Sequence, residues 1–115
     1  MRPPGENLAK GVTLISNGQM ITAALIVQLA ASGTDRLPVS RRIRVAILST
    51  GDEVVAAGSS ATSGQIFDAN RPMLKAMLQH NHIELIDCGI LSDNKDALAD
   101  AYEQALQGAD VVISS

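Results

Sequence analysis

Three acidic side chains, Asp52, Glu53 and Asp93, are the residues of this sequence best suited to chemistry. Asp52 and Glu53 follow an apolar run in the stretch S-T-G-D-E, and Asp93 follows a second apolar run much further along the chain. Carboxylates that come together can hold a hard divalent cation, whose coordination shell is completed by water and phosphate. A fold that gathers these acids would therefore create a candidate site.

The order of the predicted elements brings the acids together. Alternating apolar runs and amphipathic segments predict β-α-β-α-β, with the elements in chain order at 43–49, 71–80, 83–88, 94–108 and 109–114. Right-handed crossovers then give a parallel sheet. Ligands bind outside the carboxyl ends of such strands, so Glu53 and Asp93 are predicted to share one crevice.

Capping residues and apolar stripes predict the helix ends and faces. Asn70 and Asp93 are the candidate amino-terminal caps, and Asp68 is an alternative for the first helix. Gly89 is expected to close the second strand. The predicted inward-facing residues are Met73, Leu74, Met77 and Leu78, then Leu98, Ala101, Tyr102, Ala105 and Leu106.

Residues 1–40 are predicted to be the carboxyl-terminal part of a neighbouring α+β domain. The segment Pro3-Pro4-Gly5 favours an extended start, and Asn17-Gly18 favours the type I′ turn of a short hairpin between residues 12–15 and 20–21. A helix is expected from Ala23 to about Ser32, capped by Thr22 and stopped by Gly33. This helix is apolar on nearly every side, so other protein must cover it.

Composition excludes several classes of function. The net charge is −3 and the chain has one Tyr, one Phe and no Trp, which argues against nucleic-acid binding. The one basic cluster, Arg41, Arg42 and Arg44, is interpreted as a solvated segment, with phosphate attraction as the alternative. The apolar stretch 21–31 is too short to cross a membrane. A single cysteine, Cys88, excludes an internal disulfide and favours a reduced, cytoplasmic setting.

Simpler structural roles stay open for each candidate residue. Asp93 could be a helix cap alone, Asp52 and Glu53 a polar turn, and Gly51 a turn residue. Ser114 and Ser115 could be loop residues. His80 and His82, with one cysteine and no further histidine, argue against a zinc site. The residues by themselves indicate an α/β anion-binding domain, with metal dependence left open.

Four segments in order carry a more specific signal than any one of them alone. They resemble the molybdopterin-binding domain of MoeA-type molybdopterin molybdenumtransferases, a family that includes the E domain of gephyrin. The segments are V-A-I-L-S-T-G-D-E-V, G-Q-I-F-D-A-N-R, D-C-G-I-L-S-D-N and A-D-V-V-I-S-S. The leading R-P-P-G-E-N and the L-P-V-S before the first strand also resemble the segment that precedes that domain.

The resemblance implies a fold and a reaction. The fold would be a three-layer α/β domain with a parallel sheet, of which residues 41–115 would be the amino-terminal portion. The reaction would insert molybdate into adenylated molybdopterin, with release of AMP that depends on a divalent cation such as Mg²⁺. Family members also form dimers, so a homodimer is expected for the intact protein.

The resemblance also assigns roles to individual residues. Glu53 and Asp93, with Asp52 beside them, would assist the chemistry, and Glu53 and Asp93 would bind the cation. The remaining matches would form the pocket for the pterin and its phosphate: Thr50, Gly51, Asp68, Asn70, Ser114 and Ser115.

The family pattern continues past Ser115 with a G-G-V-S-type loop that this sequence does not contain. We therefore expect the chain to be part of a longer protein and to be inactive alone. A pterin-binding, nucleotide-binding or scaffold module of the same fold, without catalysis, is the alternative.

Overall fold

The computed structural model describes residues 9–115, so the expectations for Pro3, Pro4, Gly5 and the segment R-P-P-G-E-N lie outside the described residues. Residues 9–39 belong to one compact unit and Ser40–Ser115 form a second. The elements of the described residues are, in chain order, α1 (Ala23–Ala31), β1 (Ile43–Thr50), β2 (Val54–Val55), β3 (Ile66–Phe67), α2 (Asn70–Met77), β4 (Ile83–Leu91), α3 (Lys95–Gly108) and β5 (Val111–Ser114).

The second unit is built on a parallel sheet with the strand order β4-β1-β5, which confirms the predicted α/β class. Central strand β1 is buried continuously from Val45 to Ser49, and Ala46, Ile47 and Leu48 have no exposed surface. A strand covered on both faces needs apolar side chains at successive positions, and this run supplies them.

The two faces of β1 meet different helices. Ala46 packs with Ala105 and Ala109, at the end of α3 and just beyond it. Side chains alternate between faces along a strand, so Ser49 lies on the other face together with Asp87, the β4 partner of Ile47, and Arg71 of α2 contacts Asp87 there. This arrangement places a polar cluster beneath α2 and a small apolar core beneath α3.

Strand β4 continues through Gly89 to Leu91, so the prediction that Gly89 closes this strand is wrong. The pairing with β1 passes from Ile47–Asp87 to Ser49–Ile90, which leaves one extra residue on β4. Gly89 has φ 82° and so accommodates the bulge that the extra residue creates. The strand therefore reaches the same edge as β1.

Of the predicted helix caps, Asn70 and Asp93 are not used, whereas the alternative for the first helix, Asp68, does bond to its first turn. The amino-terminal cap position of α2 is Ala69, and the carboxylate of Asp68 accepts a hydrogen bond from the N–H of Arg71 at 3.1 Å. Asn94 caps α3 by accepting hydrogen bonds from two N–H groups at 3.1 and 3.0 Å. In both cases a neighbouring residue of equal capping ability occupies the better position.

The predicted inward faces were too wide. The buried or half-buried residues are Leu74 of α2, Leu78 just after it, and Leu98, Ala101, Tyr102 and Ala105 of α3. Met73, Met77 and Leu106 are exposed, by 51%, 63% and 60%. Helix α2 also ends at Met77, three residues earlier than 80. A sheet of three strands covers only a narrow stripe of each helix.

The first unit contains the predicted helix and lacks the predicted hairpin. Thr22 caps α1 by accepting a hydrogen bond from the N–H of Leu25 at 3.3 Å, and Gly33 follows with φ 83°. Residues 9–22 contain turns at 10–11 and 17–18 and no strand; in the second turn the carbonyl of Ser16 accepts from the N–H of Gln19 at 3.2 Å. At the Asn17-Gly18 turn only Gly18 has positive φ, whereas a type I′ turn needs two such residues.

The glycine- and serine-rich stretch after β1 holds a small structure that the sequence did not predict. Strands β2 and β3 pair in parallel through Val54–Ile66 and Val55–Phe67. The side chains of Ile66 and Phe67 are more than half exposed. This pair leads the chain from the end of β1 back to the start of α2.

Candidate functional site

The ends of β1, β4 and β5 form one edge of the sheet, which we call the carboxyl edge. The N–H of Thr50 donates to the carbonyl of Ser115 at 2.9 Å, and the N–H of Gly51 donates to the carbonyl of Leu91 at 3.1 Å. The polar residues that follow the three strands are therefore adjacent. Thr50 is half-buried and Ser114 is exposed at this edge.

The loops after β1 and β4 are joined by the acids. A carboxylate oxygen of Asp52, Oδ1, accepts a hydrogen bond from the backbone N–H of Asp93 at 3.1 Å. The predicted neighbour of Asp93 was Glu53, so the contact shown by the structure belongs to the preceding residue. All three acids are exposed. The structure thus brings Asp52 and Asp93 together and leaves Glu53 beside them on the first loop.

Gly51 allows this loop to turn. Its φ is 133°, which only glycine adopts readily. A Cβ at this position would lie 2.8 Å from Cγ2 of Val54 and 3.0 Å from Oε2 of Glu53. The Glu53 carboxylate therefore occupies space that any other residue at position 51 would need.

Asp68 is the one buried acid at this edge within residues 9–115, with 5% of its surface exposed. Its Oδ1 accepts from Ser49 Oγ and from the N–H of Arg71, both at 3.1 Å, and its Oδ2 accepts from Arg71 Nε at 2.9 Å. Burial alone would raise the pKa of Asp68, but the hydrogen bonds from Arg71 and Ser49 outweigh it and lower the pKa. Asp68 is therefore an ionised acceptor.

Arg71 links this buried acid to the middle of β4. Its Nη1 donates to both carboxylate oxygens of Asp87 at 2.9 Å, and Lys75 also pairs with Asp87. Burial opposes ionisation of Asp87, but the hydrogen bonds from Lys75, Arg71 and the N–H of Gly89 lower its pKa to about 2. The result is a connected group of two acids and two bases beneath the edge.

Sequence reasoning selected Asp68 and missed its partners Ser49 and Arg71, and also Asp87, which Arg71 binds in turn. Two signals were available: a serine at the last buried position of β1, and an arginine three residues after Asp68, within reach of its carboxylate. Asn70, by contrast, is exposed in the first turn of α2 and forms no capping hydrogen bond.

The basic cluster lies at the opposite end of the strands, which we call the amino edge. Arg41 donates from Nη1 and Nη2 to the two oxygens of Asp110 at 2.6 and 2.7 Å, and the N–H of Arg44 donates to the same carboxylate at 2.9 Å. Hydrogen bonds from Arg41, then from Arg44, hold the pKa of Asp110 well below its usual range. This part of the cluster ties the start of β1 to that of β5.

The donor set at the carboxyl edge suits a hard cation better than a soft one. Carboxylates and serine hydroxyls are oxygen donors, which Mg²⁺ prefers. Within residues 9–115 no group of three or more His, Cys, Asp or Glu side chains is placed to enclose a metal ion. Mg²⁺ usually keeps several waters and takes one or two carboxylates together with substrate phosphates, so two acids here would suffice.

Parallel strands, a loop of acids at their carboxyl ends and a buried aspartate beneath them define an α/β ligand-binding domain. A family model described as "Probable molybdopterin binding domain" matches residues 46–115, and the chain belongs to that family. The names of the proteins that this chain resembles are consistent with membership of this family.

Two relatives are named molybdopterin molybdenumtransferase. The protein from Haemophilus influenzae is 38% identical over all 115 residues, and that from Nostoc sp. is 43% identical over 105 residues, 91% of the chain. A molybdopterin biosynthesis MoeA protein from Pyrococcus horikosii has a similar crystal structure, with a TM-score of 0.81 and 32% identity over 93% of this chain. The chain spans only 28%, 24% and 27% of these three proteins.

No helix within residues 9–115 is long and apolar enough to cross a membrane.

Proposed function

We propose that this chain is part of a protein that inserts molybdate into adenylated molybdopterin, with divalent-cation-dependent release of AMP. Residues 41–115 would be the amino-terminal portion of its molybdopterin-binding domain, and residues 1–40 the end of a neighbouring domain. The observation that carries the proposal is the hydrogen bond from the Asp93 N–H to Asp52. It joins the loops after two strands and so gathers three exposed acids at the edge where such folds bind ligands.

In this proposal Glu53 and Asp93 hold the cation and Asp52 positions the Asp93 loop. When bound, a divalent cation would offset the negative charge of the phosphoanhydride that is broken. The exposed carboxylates can reach such an ion without the cost of burying charge first. One carboxylate oxygen of Asp52 already accepts a hydrogen bond from the Asp93 N–H, so Asp52 is less available than Glu53 or Asp93 to bind the cation.

The remaining predicted residues would line the pocket for the pterin and its phosphate. Thr50 and Gly51 form the turn after β1, where both backbone N–H groups are already bonded to the neighbouring strands. Ser114 ends β5 beside them and Ser115 follows it, and Asp68 lies buried beneath them. Asn70 is exposed near the same edge and would contact the ligand from the start of α2.

The intact protein is proposed to be a cytoplasmic homodimer. The apolar side chains of Ile26 and Val27 on α1 are 57% and 68% exposed, so a further domain or a second subunit is needed to cover them. Cys88 is a free thiol, as a reducing compartment would maintain.

The test is AMP release by the full-length protein carrying Glu53→Ala or Asp93→Ala. Each should reduce the rate on the order of 100-fold, because positioned charge at the reacting phosphate is lost. The free energy of unfolding should stay within about 0.5 kcal/mol, since both side chains are exposed. Glu103→Ala, which removes an exposed acid from α3, is the matched control and should leave the rate unchanged.

Full activity of both variants would refute the site assignment. Tight binding of molybdopterin with no AMP release from the unsubstituted full-length protein would instead support the non-catalytic binding module. The 115-residue chain alone is expected to release no AMP, and robust release by it would show that the remaining length of the relatives is dispensable.

A further inference from the structure

Three oxygen atoms at the carboxyl edge form a chain from the buried acid to the exposed end of β5. Ser49 Oγ lies 3.1 Å from Asp68 Oδ1 and 3.2 Å from Ser115 Oγ. Ser49 is 2% exposed and Asp68 is 5% exposed, whereas Ser115 is exposed. The chain therefore connects the interior to the surface where a ligand would bind.

The direction of the protons along this chain follows from counting donors. Asp68 accepts from the N–H and the Nε of Arg71, and as an ionised carboxylate it has no proton to donate. Ser49 must therefore donate its one hydroxyl proton to Asp68. A serine hydroxyl has a single proton, so Ser49 can only accept from Ser115.

The same count fixes what Ser115 can do at the surface. If its hydroxyl proton is donated to Ser49, Ser115 keeps only oxygen lone pairs for any other partner. The backbone holds Ser115 in place, because its N–H donates to the carbonyl of Leu48 at 3.2 Å and its carbonyl accepts from the N–H of Thr50 at 2.9 Å. A hydroxyl with this orientation repels a phosphate or molybdate oxygen and accepts a hydrogen bond from an N–H or O–H group.

We propose that Asp68 and Ser49 are positioning residues that orient the hydroxyl of Ser115 as a hydrogen-bond acceptor, so that Ser115 selects a donor group of the ligand. The inference rests on the proposed function for the identity of that ligand. Pterin rings carry amino and ring N–H donors, whereas most oxygens of a phosphate group are ionised acceptors at neutral pH. Ser115 would therefore contact the pterin part of the ligand, and the oxyanions would bind elsewhere at the edge.

The first test needs no ligand. Neutron diffraction from deuterium-exchanged crystals of the full-length protein should place one deuteron between Ser49 and Asp68 and one on the line from Ser115 to Ser49. A Ser115 deuteron that points away from Ser49, into solvent, would overturn the proposal whatever the protein binds.

The second test compares two probes, molybdopterin and inorganic phosphate, by their dissociation constants in solution. Ser115→Ala should weaken molybdopterin binding by about 3- to 10-fold, the usual effect of one hydrogen bond, and leave phosphate binding unchanged. Ser49→Ala frees the Ser115 proton and should strengthen phosphate binding by a few fold. The double variant Ser49→Ala/Ser115→Ala should not bind phosphate more tightly, because the tighter binding of Ser49→Ala depends on the Ser115 hydroxyl.

The outcomes separate this inference from the proposed function. Weaker phosphate binding by Ser115→Ala would show that Ser115 donates, and would overturn the inference while the proposed function stands. If the unsubstituted protein does not bind molybdopterin, the proposed function fails, and the deuteron positions together with the phosphate arm still decide the orientation of Ser115.

Discussion

The two edges of the parallel sheet carry acids in opposite electrostatic surroundings. At the amino edge, Asp110 accepts two hydrogen bonds from Arg41 and one from the N–H of Arg44. At the carboxyl edge, the ion pairs formed within residues 9–115 include none to Asp52, Glu53 or Asp93. An acid whose acceptors are occupied by arginine fastens two strands, whereas an exposed acid without a basic partner keeps its capacity for a cation.

The surroundings of Asp68 combine features of the acids at the two edges. It lies at the carboxyl edge like the exposed acids, but it is buried and bonded to arginine like Asp110. Asp68 therefore lies beneath the exposed residues of this edge and supports their positions. The comparison therefore predicts that substitutions beneath the carboxyl edge reduce stability most, and that substitutions at the amino edge reduce it least.

Arg71→Met should give the largest loss of stability. It leaves the buried carboxylate of Asp68 with Ser49 as its one side-chain donor, and an uncompensated buried charge costs about 3 to 5 kcal/mol. Urea unfolding at pH 7 would measure this. Asn in place of Asp68 in the same background should recover part of the loss, because it removes the unpaired charge; no recovery would mean that the lost packing of Arg71 is the cause.

Gly51→Ala should be the next most harmful. The substitution forces a positive φ of 133° on alanine and puts its Cβ 2.8 Å from Val54, which together cost about 2 to 4 kcal/mol. Gly58→Ala is the matched control, because Gly58 has φ 87° and open space around it, so only about 1 kcal/mol of backbone strain is expected. Equal losses in thermal unfolding of the two variants would contradict the crowding of Glu53 and Val54 against Gly51.

Asp87→Asn should cost about 1 kcal/mol at pH 7, after allowance for its partial exposure to solvent. The folded-state pKa of Asp87, about 2, lies below its value in the unfolded chain. Its stabilising effect is therefore present above the unfolded pKa and is lost as the pH falls through about 2. The free energies of unfolding of the variant and the parent should converge between pH 4 and pH 2, roughly; a constant difference would mean that ionisation is not the cause.

Asp110→Asn should have the smallest effect, even though the pKa of Asp110 is strongly lowered by Arg41 and Arg44. The pair lies at the surface, where solvent and salt screen the interaction. The loss of stability should be smaller than that for Asp87→Asn and should shrink further in 1 M salt. A larger loss would show that the ends of β1 and β5 depend on this contact for their pairing.

The spacing of apolar residues, together with the capping and turn residues between them, was sufficient to predict the main sheet and its helices. The continuous apolar, β-branched run of β1 was correctly predicted to be a strand covered on both faces, and Thr22 and Gly33 marked the ends of α1 correctly. Element ends were harder to predict where two polar residues compete. Asn94 displaced Asp93 as a cap, and Asp68 displaced Asn70, because a difference of one position decides which side chain reaches the free N–H groups.

The prediction of a hairpin in residues 9–22 was wrong for a related reason. Asn-Gly permits a type I′ turn but does not require one, and a two-stranded hairpin without a packed face is marginal in water. The observed turn uses positive φ at Gly18 alone. The local sequence thus predicts a turn, but only Leu14 and Ile15 are half-buried within residues 9–22, which is too little burial to stabilise two strands.

The sequence by itself determined that Asp52, Glu53, Asp93 and the two terminal serines would meet at one edge, because parallel strands place their carboxyl ends together. Only the tertiary structure decided which atoms touch: Asp52 binds the Asp93 backbone, and Asp68 is buried on Ser49 and Arg71. The contacts of Asp52 with Asp93 and of Ser49 with Asp68 join residues far apart in the chain, and they depend on the bulge at Gly89 and the path of the β2–β3 loop. The periodicity of the apolar pattern sets the sheet, but it carries no information about the distances between side chains on separate loops.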